Sequence, residues 1–392
     1  MIKEEIQMSE ELGYLGPYEY DFLVVGAGLF GAVFTHEAIK RGKSVLVIDK
    51  RDHIGGNCYT KNRMGIEVHE YGPHIFHTND KEVWDWINQF GEFNNFINSP
   101  IAYRKGKIYN LPFNMNTFYQ IYGTHKPAAA AQKILKDIPR GALNRTPRNL
   151  EEQAICFVGK KIYKTLIKDY TEKQWGKKCR DLPPELIKRI PLRFTFDNNY
   201  YNCKYQGVPI NGYTSLIKKM LKGADILLNT SYEDLQLTHP DFRGKKIIYT
   251  GPIDEFFNYQ LGELEWRVLE SISHGYPVYE SPFGNAIVNF ADKEFKNITR
   301  MIEHKFFYEE TKDLPQTILT FEWTEDWKKG KIPSYPIEDN KNLKLYNDYL
   351  NLAKKYKNIY FCGRLGSYKY LDMDQIIKKA KDLFIQIENE KF

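Results

Sequence analysis

Two glycine clusters and a carboxylate offer the first chemistry in this chain. Gly26-Ala27-Gly28-Leu29-Phe30-Gly31 spells G-x-G-x-x-G between the apolar run Tyr20–Val25 and a stretch of helical composition, residues 29–41. The first glycine permits a tight turn, the second lets backbone approach a pyrophosphate, and the third lets helix pack close on strand. The helix start then offers N–H donors to phosphate. Asp49 follows a second apolar run, Ser44–Ile48, 21 residues beyond Gly28. A carboxylate there is placed to accept from a ribose hydroxyl. A Gly55-Gly56 pair comes soon after, inside Lys50-Arg51-Asp52-His53-Ile54-Gly55-Gly56-Asn57. Such a pair allows another close backbone pass along an extended cofactor, a pattern more typical of FAD than of NAD enzymes; its alternative is an ordinary glycine turn. Near the C-terminus a strand ends in Cys362-Gly363-Arg364-Leu365, and a helix opens at Asp372-Met373-Asp374. That helix start offers N–H groups to the far end of a flavin, or is a plain capped terminus.

The elements that must hold these residues follow from the apolar pattern. Strand, turn, helix and strand within about 30 residues make a βαβ unit. Residues from about 80 to 185 are mostly helical in pattern, with examples at 81–90, 127–138 and 151–169. Residues 190–210 are aromatic and β-branched with turn signals, 213–222 read as a helix, and Lys246–Thr250 as a strand stopped by Gly251-Pro252. Strand-like segments recur from 275 to 325, and the chain closes with a strand at 358–362 and a helix from about 373 to 388. Both ends are therefore α/β, while the middle is helical and then β. This order predicts an α/β protein in which a Rossmann-like domain is interrupted by insertions.

Composition removes several classes of function. Apolar residues make up 42% and charged residues 27% of 392 residues, a globular balance. No apolar run approaches the length of a membrane span, so no membrane insertion is expected. The net charge of +6 is spread over short pairs such as Lys160-Lys161 and Lys378-Lys379, without the basic block that nucleic acid would require. Five cysteines at wide spacing, with no C-x-x-C, fit a reduced, cytoplasmic protein better than a disulfide scaffold or a zinc site; no metal is expected. Residues 1–19 carry Glu4, Glu5, Glu10 and Glu11 and no apolar stretch, so they read as a dispensable leader and not a secretion signal. Aromatic residues reach 15%, and 28 of them are tyrosines. A core has no need of so many phenols, because each buried hydroxyl wants a partner.

Longer stretches carry a family resemblance. YDFLVVGAGLFGAV (20–33), DKRDHIGGNCYT (49–60), YGPHIFHTND (71–80), YTEKQWGK (170–177), KRIPLRFTFDNNYY (188–201), TRMIEHK (299–305) and CGRLGSYKYLDMD (362–374) resemble the bacterial, flavin-dependent UDP-galactopyranose mutase family. The resemblance runs in order from about residue 20 to 374. It implies an FAD-binding Rossmann-like domain with an inserted helical domain and an antiparallel β-sheet domain. The expected boundaries are 20–80, 211–255 and 336–392 for the Rossmann-like domain. They are 81–97 and 116–188 for the helical domain with a mobile substrate loop, and 98–115, 189–210 and 256–335 for the sheet domain. The implied activity interconverts UDP-galactopyranose and UDP-galactofuranose with no net redox change, reduced FAD N5 acting as nucleophile at the anomeric carbon.

The resemblance also distributes roles. It places Arg189 and Arg300 at the diphosphate, where cations must meet developing charge and guanidinium offers paired donors. It sets His74 against the flavin as a positioning group. It puts Tyr170 on the uracil and Trp175 over the sugar, with Thr171 beside them. Tyr200, Tyr335 and Tyr370 are implied as phenols at the diphosphate, and Asp372 as an acid beside cofactor and sugar. With the glycine motif, the cofactor set comprises Gly26, Gly28, Phe30, Gly31, Asp49, Lys50, Arg51, Gly56, Asn57, His74, Gly251, Gly363, Arg364, Tyr370, Asp372 and Met373. His77 reads as structural, and Arg193 and Tyr205 rank below the others. The resemblance further implies an electron donor for the flavin, a homodimer, and a role in cell-surface galactofuranose polymers. Three alternatives stay open. One is a UDP-N-acetylgalactopyranose mutase. Another is an FAD-dependent amine oxidase or desaturase, which shares the glycine motif but needs no phosphate set. The third is a non-enzymatic binder on the same fold, like the GDP-dissociation inhibitors, which would hold no flavin.

Overall fold

Apolar runs buried on both faces build the first sheet. The computed structural model describes residues 20–187, 190–238 and 246–390; Arg189 and the leader lie outside them. Strand β1 (Phe22–Val25) leads into helix α1 (Leu29–Lys40) and strand β2 (Val45–Ile48). The five-stranded sheet is parallel and runs Ile359–Phe361, Lys246–Tyr249, β1, β2, Asp225–Leu227. Leu23, Val24, Leu46, Val47 and Ile48 are fully buried, as expected where helices cover both faces of a parallel sheet. Helix α1 lies directly on β1, because a Cβ at Gly31 would stand 2.0 Å from the Gly26 carbonyl oxygen. The terminal helix Met373–Asn389 turns Ile376, Ile377, Ala380, Phe384 and Ile387 inward, one stripe of a 3.6-residue period. Its Phe384 meets Phe22 and Phe34 edge-on at 6.4 and 5.6 Å. Burying each such ring is worth roughly 2–3 kcal/mol.

The second sheet has seven strands, in the order Tyr335–Pro336, Trp266–Tyr276, Thr317–Asp326, Arg300–Glu303, Ile287–Phe290, Ile101–Arg104, Lys107–Asn110. It is antiparallel except where Ile287–Phe290 pairs with Ile101–Arg104 in parallel. That pair joins strands nearly 190 residues apart, a connection the local pattern does not encode. A separate core gathers the helices Met115–Tyr122, Pro127–Asp137 and Leu150–Ile162 around Phe118, Ile134, Ala154, Val158 and Ile162.

Two elements differ from the sequence reading. The expected helix 151–169 is interrupted by a π-helical turn, Tyr163–Ile167, before resuming as Lys168–Trp175. The helix Lys81–Ile87 lies within the expected helical insertion at 81–97, but its Val83, Trp86 and Ile87 pack in the core shared by α1 and the terminal helix.

Candidate functional site

A cavity of about 420 Å³ lies at the C-terminal ends of β1 and β2. Glycine backbone forms part of its wall. Gly56, at φ +55°, faces Gly28 so closely that a Cβ on it would stand 2.9 Å from the Gly28 Cα. Asp49 is almost fully buried and accepts from the Ala27 and Arg51 backbone N–H groups at 2.8 and 2.9 Å. Two bonds leave lone pairs on each carboxylate oxygen for a hydroxyl. Arg51 donates to Asn57 Oδ1 at 2.8 Å and lies over the Tyr71 ring at 4.5 Å, while its Nη1 is buried without a partner. Gly26, Gly28, Phe30, Gly31, Asp49, Lys50, Arg51, Gly56, Asn57, His74, Gly251, Gly363, Arg364 and Met373 all line this cavity. Tyr370 and Asp372, expected at the cofactor as well, line only the neighbouring cavity.

That second cavity, about 870 Å³, brings together Tyr170, Thr171, Trp175, Tyr200, Arg300, Tyr335, Tyr370 and Asp372. Asn57, His74, Arg364 and Met373 line both cavities and form their common wall. Arg300 stands opposite Glu322 across the strand pair, and its Nε donates to Glu322 Oε2 at 2.6 Å. Burial opposes the charge on Arg300, but Glu322 first, then Tyr170 and Tyr335, outweigh it and raise its pKa. A guanidinium is thus locked in place and charged. Tyr335 and Tyr370 stack at 6.0 Å and 20°, and Arg364 covers the Tyr370 ring at 4.5 Å. Burial pushes the Tyr335 phenol up to about 12 against the pull of Arg300, so it stays a hydrogen donor at neutral pH. Asp372 caps the terminal helix, where its N–H donates to Gln375 Oε1 at 3.1 Å, and also faces the cavity.

Helix Lys168–Trp175 presents Tyr170, Thr171, Gln174 and Trp175 to the cavity, one face at i, i+1, i+4, i+5. Groups from the seven-stranded sheet hold its other side. Lys173 Nζ donates to the carbonyls of Phe290 and Ile298 at 2.8 and 2.7 Å. Burial pushes Lys173 down to about 8, with Asp292 and Asp169 opposing. Thr324 Oγ1 and Arg267 Nε donate to the Gln174 carbonyl at 2.7 and 3.3 Å, and Arg104 pairs with Asp169 at 3.0 Å.

Other expectations fall as follows. Arg193 is spent on local partners, donating to Asn202 Oδ1 and the Tyr201 carbonyl. Tyr205 stacks on Trp84, and neither residue lines either of these two cavities. His77 stacks on Tyr201 at 3.9 Å, bonds Cys203 Sγ at 3.4 Å, and lines the second cavity. Sequence reasoning missed Gln174, whose signal was its helical spacing from Tyr170. It also missed Glu322, visible only as an acid at a buried strand position, and the wall Thr230–Glu233 of the first cavity. Among the described residues, no group of His, Cys, Asp and Glu is arranged to hold a metal ion, and no helix is long and apolar enough to cross a membrane.

Fold and cavities define a Rossmann-type dinucleotide-binding protein with a larger, phenol-rich chamber, holding the buried Arg300 guanidinium, against its nucleotide site. A family model for an NAD(P)-binding Rossmann-like domain matches residues 24–90, and one for UDP-galactopyranose mutase matches 165–370. A probable UDP-galactopyranose mutase of Klebsiella pneumoniae is 34% identical over 378 residues, covering 95% of this chain and 96% of that protein. The dTDP-fucopyranose mutase of Escherichia coli is 35% identical over 378 residues, covering 94% and 99%. A crystal structure of reduced UDP-galactopyranose mutase shares the fold with a TM-score of 0.72 at 14% identity, over 95% of each chain. The chain belongs to the UDP-galactopyranose mutase family, whose members are isomerases.

Proposed function

We propose that this chain is an FAD-dependent mutase that exchanges the pyranose and furanose rings of a nucleoside diphosphate sugar, UDP-galactose in the first place. One observation carries the reading. A dinucleotide cavity and a chamber holding a locked guanidinium share a wall made by Asn57, His74, Arg364 and Met373. The residues of the first cavity fit FAD. At the Gly28–Gly56 approach main chain meets main chain with no side chain between them, so backbone is presented directly to a ligand, and Arg51 Nη1 is a buried donor lacking an acceptor. Asp49 would take a ribose hydroxyl, and the start of α1 would take the pyrophosphate. When bound and reduced, the flavin supplies a nucleophilic nitrogen for the anomeric carbon.

The chain's own residues do the remaining work. Arg300, with Arg189 by family resemblance, meets the charge that builds on the departing diphosphate. Tyr200, Tyr335 and Tyr370 donate to phosphate oxygens without adding charge. Tyr170 gives a face for the pyrimidine, Trp175 and Thr171 bound the sugar, and Asp372 and His74 fix its approach to the cofactor. The domain limits expected from sequence belong to the same reading, apart from the helix Lys81–Ile87. So do a cytoplasmic homodimer, an electron donor and a place in making cell-surface galactofuranose polymers.

The 35% identity to a dTDP-fucopyranose mutase favours a second substrate, a deoxy sugar on thymidine diphosphate, beside the N-acetyl sugar considered from sequence. The test is product analysis by chromatography. Flavin-loaded enzyme, reduced with dithionite, is given UDP-galactopyranose, UDP-N-acetylgalactosamine or dTDP-fucopyranose separately. A furanose product is expected from UDP-galactopyranose. No furanose from any of the three would overturn the reading, and product from another sugar alone would reassign the substrate.

A further inference from the structure

Three buried or half-buried histidines stand in series behind the shared wall, with only His74 on it, and their partners decide which nitrogen of each holds its proton. A neutral imidazole has one donor and one acceptor nitrogen. The His74 backbone N–H donates to His69 Nδ1 at 3.0 Å. That nitrogen therefore carries a lone pair, and the His69 proton sits on Nε2. The His69 backbone N–H lies 3.3 Å from His304 Nδ1, so His304 is likewise the Nε2–H form. Its Nε2 then donates to Thr320 Oγ1 at 2.8 Å, and the Thr320 hydroxyl pairs with the Ser273 hydroxyl at 2.8 Å. His74 is the opposite tautomer. Its Nδ1 is 2.7 Å from the Gly72 carbonyl oxygen, which only accepts, so Nδ1 holds the proton. The remaining edge of His74, the Nε2 lone pair, is the one left to the two cavities it lines.

The surroundings keep this series neutral. His69 lies against Phe307 at 4.9 Å and edge-on to Tyr213 at 5.8 Å, and its Nε2 meets no acceptor. Burial lowers all three pKa values: His69 well below the usual range, His74 to about 4 and His304 to about 3. Protonating His69 or His304 would replace its accepting nitrogen by a donor facing another donor. The series also crosses the molecule. It begins in the loop Gly72–His74 and ends on the strands Thr317–Asp326 and Trp266–Tyr276 of the seven-stranded sheet.

We infer that His69 and His304 are positioning residues which hold His74 as a fixed hydrogen-bond acceptor at the wall between the cavities. Its partner is an N–H or O–H group, from the reduced flavin or from a hydroxyl of the sugar. The tautomers stand on geometry alone; only the kinetic consequence rests on the mutase reading.

Nitrogen-15 NMR of histidine-labelled, flavin-loaded protein reads each tautomer. His69 and His304 as Nε2–H and His74 as Nδ1–H are expected; an Nδ1–H form of His69 or His304 overturns the proposal. A change at His74 Nε2 on reduction alone assigns the flavin as partner. A change on adding UDP-galactopyranose to oxidised protein assigns the sugar, and no change in either arm overturns the acceptor role. In kinetics, His69→Leu should lower kcat about tenfold with KM within about twofold, as expected for one lost buried hydrogen bond. His69→Asn, whose amide oxygen replaces Nδ1, should recover most of it. Thr320→Val removes the last acceptor with little change of shape and should cost about threefold at unchanged flavin content. Equal losses in His69→Leu and His69→Asn would overturn the proposal. If the parent protein had no mutase activity, the NMR arms would still decide, so the two readings fail separately.

Discussion

The two cavities are built by different means. The dinucleotide cavity turns on backbone, where Gly28 and Gly56 bring main chain together and Asp49 is held by two N–H groups. The larger cavity is made of side chains delivered from all parts of the fold. Arg300 comes from one strand and its partner Glu322 from the next, Tyr170 and Trp175 from a helix, and Tyr370 from the loop before the terminal helix. A backbone site is tolerant of most side-chain changes but intolerant of any side chain where glycine stands. A side-chain site should lose function one group at a time while its neighbour stays filled.

The largest test of this division is Arg300→Ala. Turnover should fall about a thousandfold, as for other removed charge-stabilising groups, while flavin content stays at the parent level. A variant that sheds its flavin would break the division. Next comes Gly56→Ala, which forces a Cβ to 2.9 Å from Gly28 Cα in a left-handed conformation. Strain and clash together should weaken flavin binding about a hundredfold. The ratio of flavin to protein absorbance after dialysis reads it, and full flavin content would refute the backbone account.

Why one cavity was legible and the other was not follows from the same contrast. The glycine motif, Asp49 and the Gly55-Gly56 pair lie within 31 consecutive residues, and local geometry gives each its meaning. Arg300, Tyr335 and Tyr370 have no such local signature; family resemblance alone placed them. Glu322, Lys173 and Arg267 escaped both routes, because their partners lie between 22 and 125 residues away. The parallel pairing of Ile101–Arg104 with Ile287–Phe290 escaped for the same reason. Nor did composition foresee that residues 190–210 would contribute only the short strand Tyr205–Gly207.

Smaller effects sharpen the picture. Tyr335→Phe removes one donor facing the second cavity and leaves its stack on Tyr370. It should lower kcat/KM about tenfold, one hydrogen bond to a charged group, with flavin affinity unchanged. Asp254 lines neither cavity. Burial raises its carboxyl to about 6, so its favourable contribution is present below the unfolded value near 4 and is lost as pH rises through about 6. Asp254→Asn should therefore gain about 1 kcal/mol on the parent between pH 5 and pH 7.5. Thermal unfolding at the two pH values checks this, and an advantage that shrinks with rising pH would reject the sign.

The helix Lys168–Trp175 is seated by its back and its main-chain carbonyls, through Lys173, Thr324, Arg267 and Arg104. Gln174 enters that seating only through its carbonyl, whereas Trp175 also packs against the helical core and lies 6.4 Å from the Tyr335 ring. The helix is thus a fixed mount whose front residues are unequal: exchanging Gln174 leaves the mount intact, and exchanging Trp175 disturbs it.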